Sequence, residues 1–569
     1  MEAMHTARDT DVLIVGSGAS GLAAAITAAH AGLKVVVAEK ANVVGGTSAF
    51  SGGWLWIPHA PHTKGQNTGD TAADVEAYLQ AVLGERYDDT MMQQYLQRAP
   101  EMLAFFENHT TVKFLPGSAV PDFFGELAGA KAGWRSVVAA PYDGRGLGKN
   151  LAMLRRPIPE TTLWGMGIAS GADMKHFLHS FKSWSSFYYV GKRVSKHGRD
   201  VLLHGRSQQI VNGNALVARL LESALRLNVS FVLNARVSDI GEADEAGARS
   251  VVLDTPQGQT HIHARRAVVL AAGGFPHDVV RQSQLFPHVK NGTPHHSAAP
   301  TTNTGDGLNL GERLGGEVDS SQAAAGAWSP VSLVPQADGT WGRFPHLVER
   351  GKPGLIAVRA NGLRFTNEGG PYHAFVKEML AATPEGERAV SWLICDHTFI
   401  RRYGLGAVKP FPLSLKPWLA NGYLKRGNTL AELAHACGID VNGFEATLRE
   451  YNRHAEQGQD PVFGRGSNLY QRVAGDASVG PNPCVAPIAT APFYAVEIVP
   501  GSLGTFAGLK TNVHAQVLDS AGAVISGLYA VGNDMNSVMG GHYPSGGITL
   551  GPGMTFGYVA ARHIAGKQD

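Results

Sequence analysis

The sequence predicts an α/β fold, built on a doubly wound parallel sheet with a second α+β domain inserted into it. Three observations support this prediction. An apolar run, a glycine-rich turn and an alanine-rich helix follow one another near the start, a similar strand pattern returns near residue 524, and the composition changes between about 280 and 480. The length of 569 residues also exceeds what one hydrophobic core usually supports.

The beginning of the chain predicts a βαβ unit. Residues 11–15 form a short apolar run typical of a buried parallel strand, and a helix is predicted over 22–31. A second apolar strand over 34–38 ends at Glu39. The glycine-rich turn at 16–21 joins the first strand to the helix, and a unit of this order opens a doubly wound sheet.

The apolar pattern also predicts the later elements. Residues 281–480 are richer in proline and aromatic residues, so we predict one domain from 1–280 and 481–569 and an inserted substrate domain from 281–480. Within the first domain the pattern predicts helical structure over about 70–110, loops over 118–175, a helix over 216–227, strands over 229–237, 267–271 and 524–531, and a helix over 549–564.

Composition and charge argue against several classes of protein. The net charge of +2, without a basic stripe, disfavours nucleic acid as a partner. No apolar run reaches the length of a membrane span, and residues 1–10 lack the apolar core of a signal peptide. Three scattered cysteines do not suggest a disulfide framework, and the pair His295–His296 has no further metal ligand at suitable spacing. We therefore expect a cytoplasmic protein without a metal.

The turn at 16–21 reads G-x-G-x-x-G, between a strand and a helix and with an acidic residue 18 positions beyond its last glycine. Gly16 permits the tight turn, Gly18 lets the backbone approach a pyrophosphate, and Gly21 lets the helix pack on the strand. A pyrophosphate is expected at the helix N-terminus, and Glu39 is expected to accept hydrogen bonds from a ribose hydroxyl. The predicted dinucleotide-binding residues of this unit are Gly16, Gly18, Ala19, Ser20, Gly21, Glu39 and Lys40.

Four further segments have glycines and small hydroxyls in an order that resembles the fumarate reductase and ketosteroid dehydrogenase flavoprotein superfamily: 45–53, 271–275, 304–307 and 527–533. The resemblance implies a Rossmann-type domain that binds FAD. Succinate dehydrogenase-type members have a histidine near Ser48 that bonds covalently to the flavin; this chain has none, so non-covalent FAD is expected. The further FAD-binding residues it implies are Gly46, Thr47, Ser48, Ser51, Gly52, Gly53, Val237, Ala272, Gly273, Asn303, Asp306, Gly532, Asn533, Gly547, Thr549 and Leu550.

Two later runs resemble 3-ketosteroid Δ1-dehydrogenases. The run 540–552 is similar to their Tyr-Pro-Gly-x-Gly-x-Thr-x-Gly-Pro segment, which implies that Tyr543 and the N–H of Gly547 hold a substrate carbonyl oxygen. The run 361–372 is similar to their Asn-Gly-x-Arg-Phe-x-Asn-Glu…Pro-Tyr segment, which implies that Tyr372 is the general base. The implied reaction moves an α-proton to Tyr372 and a β-hydride to flavin N5, while the tyrosine and the N–H stabilise the enolate.

One position departs from this family. The steroid enzymes resemble one another in an Asp-Tyr pair of an early loop, and here Phe123 follows Asp122. We predict that Phe123 contacts the substrate and that Tyr188 is a candidate for the missing tyrosine. His542 is a candidate for modifying the carbonyl-binding site, because it precedes Tyr543. Arg155 is a candidate for binding a substrate carboxylate.

Several functions stay open at this stage. The resemblance favours desaturation of a 3-ketosteroid, a ketosteroid at another position, or a smaller cyclohexanone-type ring. A fumarate reductase-like reductase of an unsaturated acid or enone is the alternative within the superfamily. A flavin-dependent monooxygenase is disfavoured because no second dinucleotide fingerprint is present. Reoxidation requires an external electron acceptor, for which a quinone, a carrier protein and O₂ are candidates.

Overall fold

The computed structural model describes residues 8–169, 171–178, 180, 183–245 and 247–567. The strands are, in chain order, β1 (Arg8–Val15), β2 (Val35–Ala38), β3 (Trp54–Trp56), β4 (Phe114–Pro116), β5 (Ser136–Ala139), β6 (Tyr142–Asp143), β7 (Gln209–Ile210), β8 (Ser230–Val232), β9 (Arg236–Ile240), β10 (Arg249–Thr255), β11 (Gly258–Leu270), β12 (Val318–Asp319), β13 (Gly326–Pro335), β14 (Trp341–Pro345), β15 (Leu355–Val358), β16 (Ser391–Cys395), β17 (Lys425–Gly427), β18 (Phe493–Thr505), β19 (Gly508–Leu509), β20 (Gln516–Leu518) and β21 (Val524–Ala530).

The α-helices are α1 (Ala19–His30), α2 (Ala72–Leu83), α3 (Asp89–His109), α4 (Ala172–Leu178), α5 (Trp184–His204), α6 (Asn212–Arg226), α7 (Val279–Leu285), α8 (Pro287–Lys290), α9 (Asp306–Arg313), α10 (Tyr372–Ala381), α11 (His397–Tyr403), α12 (Lys416–Ala420), α13 (Leu430–Cys437), α14 (Val441–Ala455), α15 (Leu469–Ala474) and α16 (Leu550–Ile564). Short 3-10 helices lie at Gly46–Phe50, Pro61–Thr63, Gly84–Arg86, Gly144–Met153, Pro159–Thr161, Glu349–Gly351 and Gly532–Asp534.

An eight-stranded sheet has the order β20-β21-β11-β1-β2-β8, with β10 and β9 attached beside β11. Strand β1 is parallel to both β2 and β11, and β21 is parallel to β11. Val35 to Ala38 are all buried, as the continuous apolar run predicts for a central parallel strand. This arrangement confirms the predicted α/β class with its doubly wound sheet.

Helix α16 joins the later part of the chain to the first βαβ unit. It packs against α1, and glycines make the close approach possible. A Cβ on Gly553 would lie 2.3 Å from Ser20 Oγ, and a Cβ on Gly557 would lie 2.5 Å from the Ser20 carbonyl oxygen. Residues 550–564 therefore complete the layer that covers the large sheet.

A second, six-stranded sheet has the order β14-β13-β18-β16-β15, with β17 paired to β18. All of these pairings are antiparallel. A separate core, with Ile356, Ile394 and Phe444, lies between this sheet and helices α13 and α14. The strands of this sheet come from 326–505 and those of the large sheet from 8–270 and 516–530. The domain boundaries at 280 and 480 stay a prediction. Smaller sheets pair β3-β5-β4, β12-β19 and β6-β7.

Two predicted elements are divided in the structure. The predicted helix over 70–110 is two helices, because Gly84 adopts φ of +54° at the end of α2. The predicted strand over 229–237 is two strands, because Asn234 adopts φ of +52° between β8 and β9. A residue with positive φ interrupts the repeating backbone geometry of a strand or helix, so the element ends there. In the described part of the chain, no helix has both the length and the apolar character that a membrane crossing needs.

Candidate active site

A cleft lies between the two large sheets. Its floor begins at the carboxyl ends of β1 and β2, where ligands bind in doubly wound sheets. Its other wall includes Pro345 from β14, Leu347 after that strand, and Tyr372 at the start of α10. The cleft therefore joins the region of the G-x-G-x-x-G turn to the two predicted tyrosines.

The glycine-rich turn has the geometry that the motif predicts. Gly16 adopts φ of +107°, and a Cβ there would lie 2.3 Å from the Ala271 carbonyl oxygen. A Cβ on Gly21 would lie 2.3 Å from the Gly16 carbonyl oxygen, so this glycine allows close packing of helix on strand. The nearest atom to a Cβ on Gly18 is Ser48 Oγ at 3.6 Å, which leaves the backbone open to the cleft.

Glu39 lies at the other side of this turn and is almost fully buried. Its Oε2 accepts hydrogen bonds from the N–H of Ser17 at 3.0 Å and from Ser17 Oγ at 2.5 Å. Its Oε1 accepts one from the N–H of Ala41 at 2.8 Å. The carboxylate is thus held at the end of β2 while it lines the cleft, as a ribose-binding acid requires.

Polar side chains close the cleft near the turn at 302–306. Lys40 Nζ donates to Thr304 Oγ1 and to Asp306 Oδ2, each at 2.7 Å, and Arg236 also pairs with Asp306. Asn303 Nδ2 donates to Thr47 Oγ1 at 3.1 Å. These contacts bring segments separated by more than 250 residues in sequence to one side of the cleft.

Asp534 is a buried acid that the sequence reasoning missed. Its Oδ2 accepts from the N–H of Ala272 at 2.5 Å and its Oδ1 from the N–H of Gly274 at 2.8 Å. Burial raises the pKa of Asp534 to about 6. Its position directly after the recognised pair Gly532-Asn533 was the available signal. The acid fixes the turn after β11 against the 3-10 helix that follows β21.

Most of the predicted cofactor-binding residues meet in this cleft. Gly21 and Gly53 are not in its lining: both serve packing, and a Cβ on Gly53 would lie 2.6 Å from the Asn212 carbonyl carbon. The lining contains open backbone N–H groups at a helix N-terminus, which can donate to a phosphate, and a buried carboxylate, which can accept from a ribose hydroxyl. This set of polar groups fits FAD. The predicted residues that line the cleft are Gly16, Gly18, Ala19, Ser20, Glu39, Lys40, Gly46, Thr47, Ser48, Ser51, Gly52, Val237, Ala272, Gly273, Asn303, Asp306, Gly532, Asn533, Gly547, Thr549 and Leu550.

Tyr372 and Tyr543 lie side by side in the cleft. Their ring centroids are 4.9 Å apart at an angle of 73°, and both rings are buried. Gly547 adopts φ of +103°, and a Cβ there would lie 2.6 Å from the N of Trp56. Its carbonyl accepts from the N–H of Trp56 at 3.1 Å. Its own N–H donates no hydrogen bond to any described residue, so it is available to a ligand.

The two phenols have raised pKa values. Burial raises the pKa of Tyr372 well above 10, and the neighbouring Tyr543 adds to this, while the guanidinium of Arg350 opposes it. Burial raises the pKa of Tyr543 to about 12, although hydrogen bonds with Tyr372 and Thr549 limit the rise. Both phenols are therefore protonated near neutral pH in this structure.

Phe123 packs on both tyrosines. Its ring centroid lies 5.6 Å from that of Tyr372 and 5.8 Å from that of Tyr543. A third tyrosine, Tyr470 of α15, lies 4.5 Å from Phe123 and was missed because no motif precedes it. Tyr188 does not belong to this group: its side chain is 73% exposed on α5, and it is not in the lining of the cleft. Besides Tyr372 and Tyr543, the tyrosine whose ring contacts Phe123 is therefore Tyr470 and not Tyr188.

The remaining candidates have separate positions. His542 is partly buried, and burial lowers its pKa. Arg155 lies over the Phe50 ring at 5.6 Å, and Phe50 lines the cleft. His295 is hydrogen-bonded to His288 at 3.0 Å and to Ser502 at 2.8 Å. Within the described residues, no group of three or more histidine, cysteine or acidic side chains is arranged to hold a metal ion.

Comparison with known proteins identifies the family. Residues 11–550 match the model of the FAD binding domain family. The chain is 38% identical to 4-oxocyclohex-2-ene-1-carboxylate 5-dehydrogenase of Sinomonas cyclohexanicum, over 98% of this chain and 93% of the relative. It is 34% identical to 3-oxosteroid 1-dehydrogenase of Mycobacterium tuberculosis, over 98% of this chain and 99% of the relative.

A solved structure shows the same relationship. The crystal structure of 3-ketosteroid Δ1-dehydrogenase from Sterolibacterium denitrificans, in complex with 1,4-androstadiene-3,17-dione, matches with a TM-score of 0.90 and 33% identity. The match covers 99% of this chain and 100% of that one. The predicted resemblance, the Rossmann-type fold and the FAD cofactor are thereby confirmed. The chain belongs to the FAD binding domain family, in its ketosteroid dehydrogenase-like branch, and is a FAD-dependent oxidoreductase.

Proposed function

We propose that this enzyme desaturates the carbon–carbon bond next to the carbonyl of a cyclic ketone. The observation that supports this most directly is the position of Tyr372, Tyr543 and Gly547 in one cleft with the residues predicted to bind FAD. The relatives with 34% and 38% identity act, by their names, on an oxosteroid and on an oxocyclohexene carboxylate. A six-membered ring ketone is the part these two substrates share.

The roles of the three residues follow from their chemistry. The phenol of Tyr543 and the free N–H of Gly547 donate to the ketone oxygen, where negative charge develops as the α-proton leaves. Tyr372 removes this proton, and Phe123 packs against the ring of the substrate. Two donors aimed at the oxygen stabilise the enolate more than the ketone and so lower the barrier. Bound FAD supplies the two-electron acceptor for the reaction.

The cofactor is proposed to be non-covalent, because the described residues that line the cleft include no histidine. An external acceptor, such as a quinone, a carrier protein or O₂, then completes the cycle. We also propose a cytoplasmic location. Its support is that Cys395, Cys437 and Cys484 are free thiols, which suits a reducing compartment.

The test mixes purified, FAD-loaded protein anaerobically with 4-androstene-3,17-dione and, separately, with cyclohexanone. We expect the oxidised-flavin absorbance to be lost with either ketone. Loss of this reaction in Tyr372→Phe would support the role of Tyr372 as the general base. Tyr451→Phe is the matched control, since it removes a buried hydroxyl on α14, outside the cleft, that has no hydrogen-bond partner among the described residues. A full rate in Tyr372→Phe would refute the role of Tyr372.

A second candidate function is reduction of an enone, and one observation favours it. Because burial keeps Tyr372 protonated at neutral pH, this phenol is ready to give a proton to the α-carbon. The same residues would then catalyse the reverse reaction, in which the enone is reduced. Suppose that neither ketone bleaches the flavin but that an enone or an unsaturated acid reoxidises the reduced enzyme. The enzyme is then a reductase, and the proposed desaturation is wrong.

A further inference from the structure

Helix α5 packs its polar side against the protein. The buried residues of this helix are all polar: Ser186, Arg193, His197 and Asp200. Arg193 pairs with Asp173 at 3.1 Å. Asp200 Oδ2 accepts a hydrogen bond from the N–H of Gln208 at 3.1 Å. A helix on the surface of a globular protein normally does the reverse, because burial of its apolar side stabilises the fold.

The opposite side of α5 exposes large apolar side chains to water. Trp184 and Leu202 are each 87% exposed, and Phe187 and Tyr188 are exposed as well. At 3.6 residues per turn, the positions 184, 188, 191, 195, 198 and 202 form one line along the helix, and all of them are exposed. Single exposed apolar residues are common, but several on one side of a helix mark a surface that binds a partner. We call Trp184, Phe187, Tyr188 and Leu202 the apolar face of α5.

Positive charge lies beside this apolar face. Lys192 and Arg199 are exposed next to the line of apolar residues, whereas Asp200, the acidic residue of α5, is on the buried side. Residues 141–206 contain eleven lysine and arginine residues and four aspartate and glutamate residues, although the net charge of the whole chain is only +2. The positive charge of the chain is therefore concentrated in the segment that contains α5.

A neighbouring loop extends the positive surface at the end of α5. Arg206 Nη1 donates to the carbonyl oxygens of Leu151 and Leu154, each at 3.2 Å. These contacts hold residues 144–156 beside the C-terminal end of the helix. That loop includes the exposed side chains of Lys149 and Arg156.

We propose that α5 binds the surface of an anionic lipid bilayer. The apolar face enters the boundary between the headgroups and the acyl chains, where tryptophan and tyrosine side chains are favoured. Lys192 and Arg199 then lie at the level of the lipid phosphates, which attract them. Helices that lie in the plane of a bilayer interface have this composition, with Trp, Phe or Leu on one face and Lys or Arg on the polar face. The proposal concerns where the enzyme works and does not depend on the proposed reaction.

Charge favours lipid over a second copy of the chain as the partner. A symmetric dimer through α5 would place Lys192 and Arg199 of one copy close to the same residues of the other. Like charges brought together in this way oppose association. An anionic bilayer instead satisfies the positive charge and covers the apolar face at the same time.

The test uses FAD-loaded protein and vesicles without any ketone. One set of vesicles is phosphatidylcholine alone, and the other has equal parts of phosphatidylcholine and anionic phosphatidylglycerol. The fraction of protein that sediments with the vesicles gives the binding constant. We expect binding to the anionic vesicles, at least about 10-fold weaker binding to phosphatidylcholine, and release from the anionic vesicles by concentrated NaCl.

Substitutions test the two parts of the surface separately. Trp184→Ser combined with Leu202→Ser should weaken binding about 100-fold, because two large apolar side chains no longer leave water. Lys192→Gln combined with Arg199→Gln should weaken binding to anionic vesicles about 10- to 30-fold. Leu413→Ser is the matched control, since Leu413 is a fully exposed leucine outside residues 141–206 and its loss should not change binding. The flavin absorbance of each variant checks that it still folds and holds FAD.

The outcomes decide between lipid and other partners. Absence of binding to anionic vesicles overturns the proposal, and so does equal binding of the wild type and the two combined variants. Equal binding to both kinds of vesicle overturns the role of anionic lipid. If the protein without lipid is a dimer that Trp184→Ser with Leu202→Ser dissociates, the apolar face is a contact between copies and the lipid proposal is wrong. Because no ketone is present, none of these results bears on the proposed desaturation, which the flavin-bleaching test decides by itself.

Discussion

The hydroxyl of Tyr372 lies beside the hydroxyl of Tyr543 and near the buried guanidinium of Arg350. Arg350 donates to the carbonyl oxygens of His346 and Glu368, each at 2.8 Å. Its charge stabilises a phenolate at Tyr372, but burial has the larger effect and raises the pKa well above 10. The base form of Tyr372 is therefore scarce at neutral pH.

This raised pKa predicts a pH dependence for desaturation. The base form of an acid increases with pH up to its pKa, about tenfold per pH unit. We expect the rate of anaerobic flavin reduction by a ring ketone to rise through pH 7 to 9 without a plateau. Stopped-flow measurements across this range test it. A plateau below pH 8 would show that Tyr372 in the substrate complex has a lowered pKa.

Tyr470 supplies a hydroxyl-bearing ring where Phe123 lacks one. Burial raises the pKa of Tyr470, and Arg350 opposes this rise. We expect Tyr470→Phe to slow flavin reduction about tenfold, as for loss of one hydrogen bond to a developing charge, and to shift the pH profile. Phe123→Tyr in the same background should restore part of the rate. An unchanged rate and profile in Tyr470→Phe would limit this residue to packing.

At the scale of elements, the segment that leads to Tyr372 is held by a buried charge network. Arg364 donates to both carboxylate oxygens of Glu368 at 2.8 Å and also to Asp460. Arg465 donates to Glu368 Oε2 at 3.1 Å. Burial alone would raise the pKa of Glu368, but these two guanidinium groups hold it below the usual value. The carboxylate thus fixes the path from β15 to α10.

Removing one member of this network should be costly. We expect Glu368→Gln to lower the free energy of unfolding by about 3–5 kcal/mol, because it leaves two buried arginines without their shared counter-charge. Urea denaturation at pH 7 measures this change in the free energy of unfolding. Glu387→Gln is the control, since Glu387 is a 56%-exposed partner of Arg359 and its loss should cost less than about 1 kcal/mol. Equal effects of the two substitutions would contradict this view of the network.

At the scale of the whole molecule, local patterns predicted the fold well. The apolar strands at 11–15 and 34–38 and the glycines between them specify the βαβ unit, because each constraint acts within a few residues. The contacts of Tyr470 and Asp534 could not be predicted in this way. Each depends on segments far apart in sequence, such as Asp534 with Ala272. Tyr188 was proposed only as a substitute for the missing tyrosine, and its residue type alone does not determine which face of α5 it occupies; it is 73% exposed.

Cofactor binding should stabilise the molecule as a whole, since the cleft is lined by segments from both large sheets. At a free FAD concentration 100 times the dissociation constant, we expect the free energy of unfolding to rise by about 2.7 kcal/mol. Denaturation with and without added FAD measures this. Gly18→Ala should fold, since its Cβ has room at 3.6 Å, but it should lose much of the stabilisation at the same FAD concentration. If FAD stabilised Gly18→Ala as much as the wild type, the pyrophosphate would not bind at the turn that contains Gly18.

The packing of α16 on α1 has a consequence for biosynthesis. Residues 16–21 emerge from the ribosome more than 500 residues before Gly532, Asn533 and Leu550, which line the same cleft. A nascent chain that has not reached Leu550 lacks one side of the cleft, and its exposed α1 has no α16 to cover it. Flavin loading therefore requires that translation has passed Leu550.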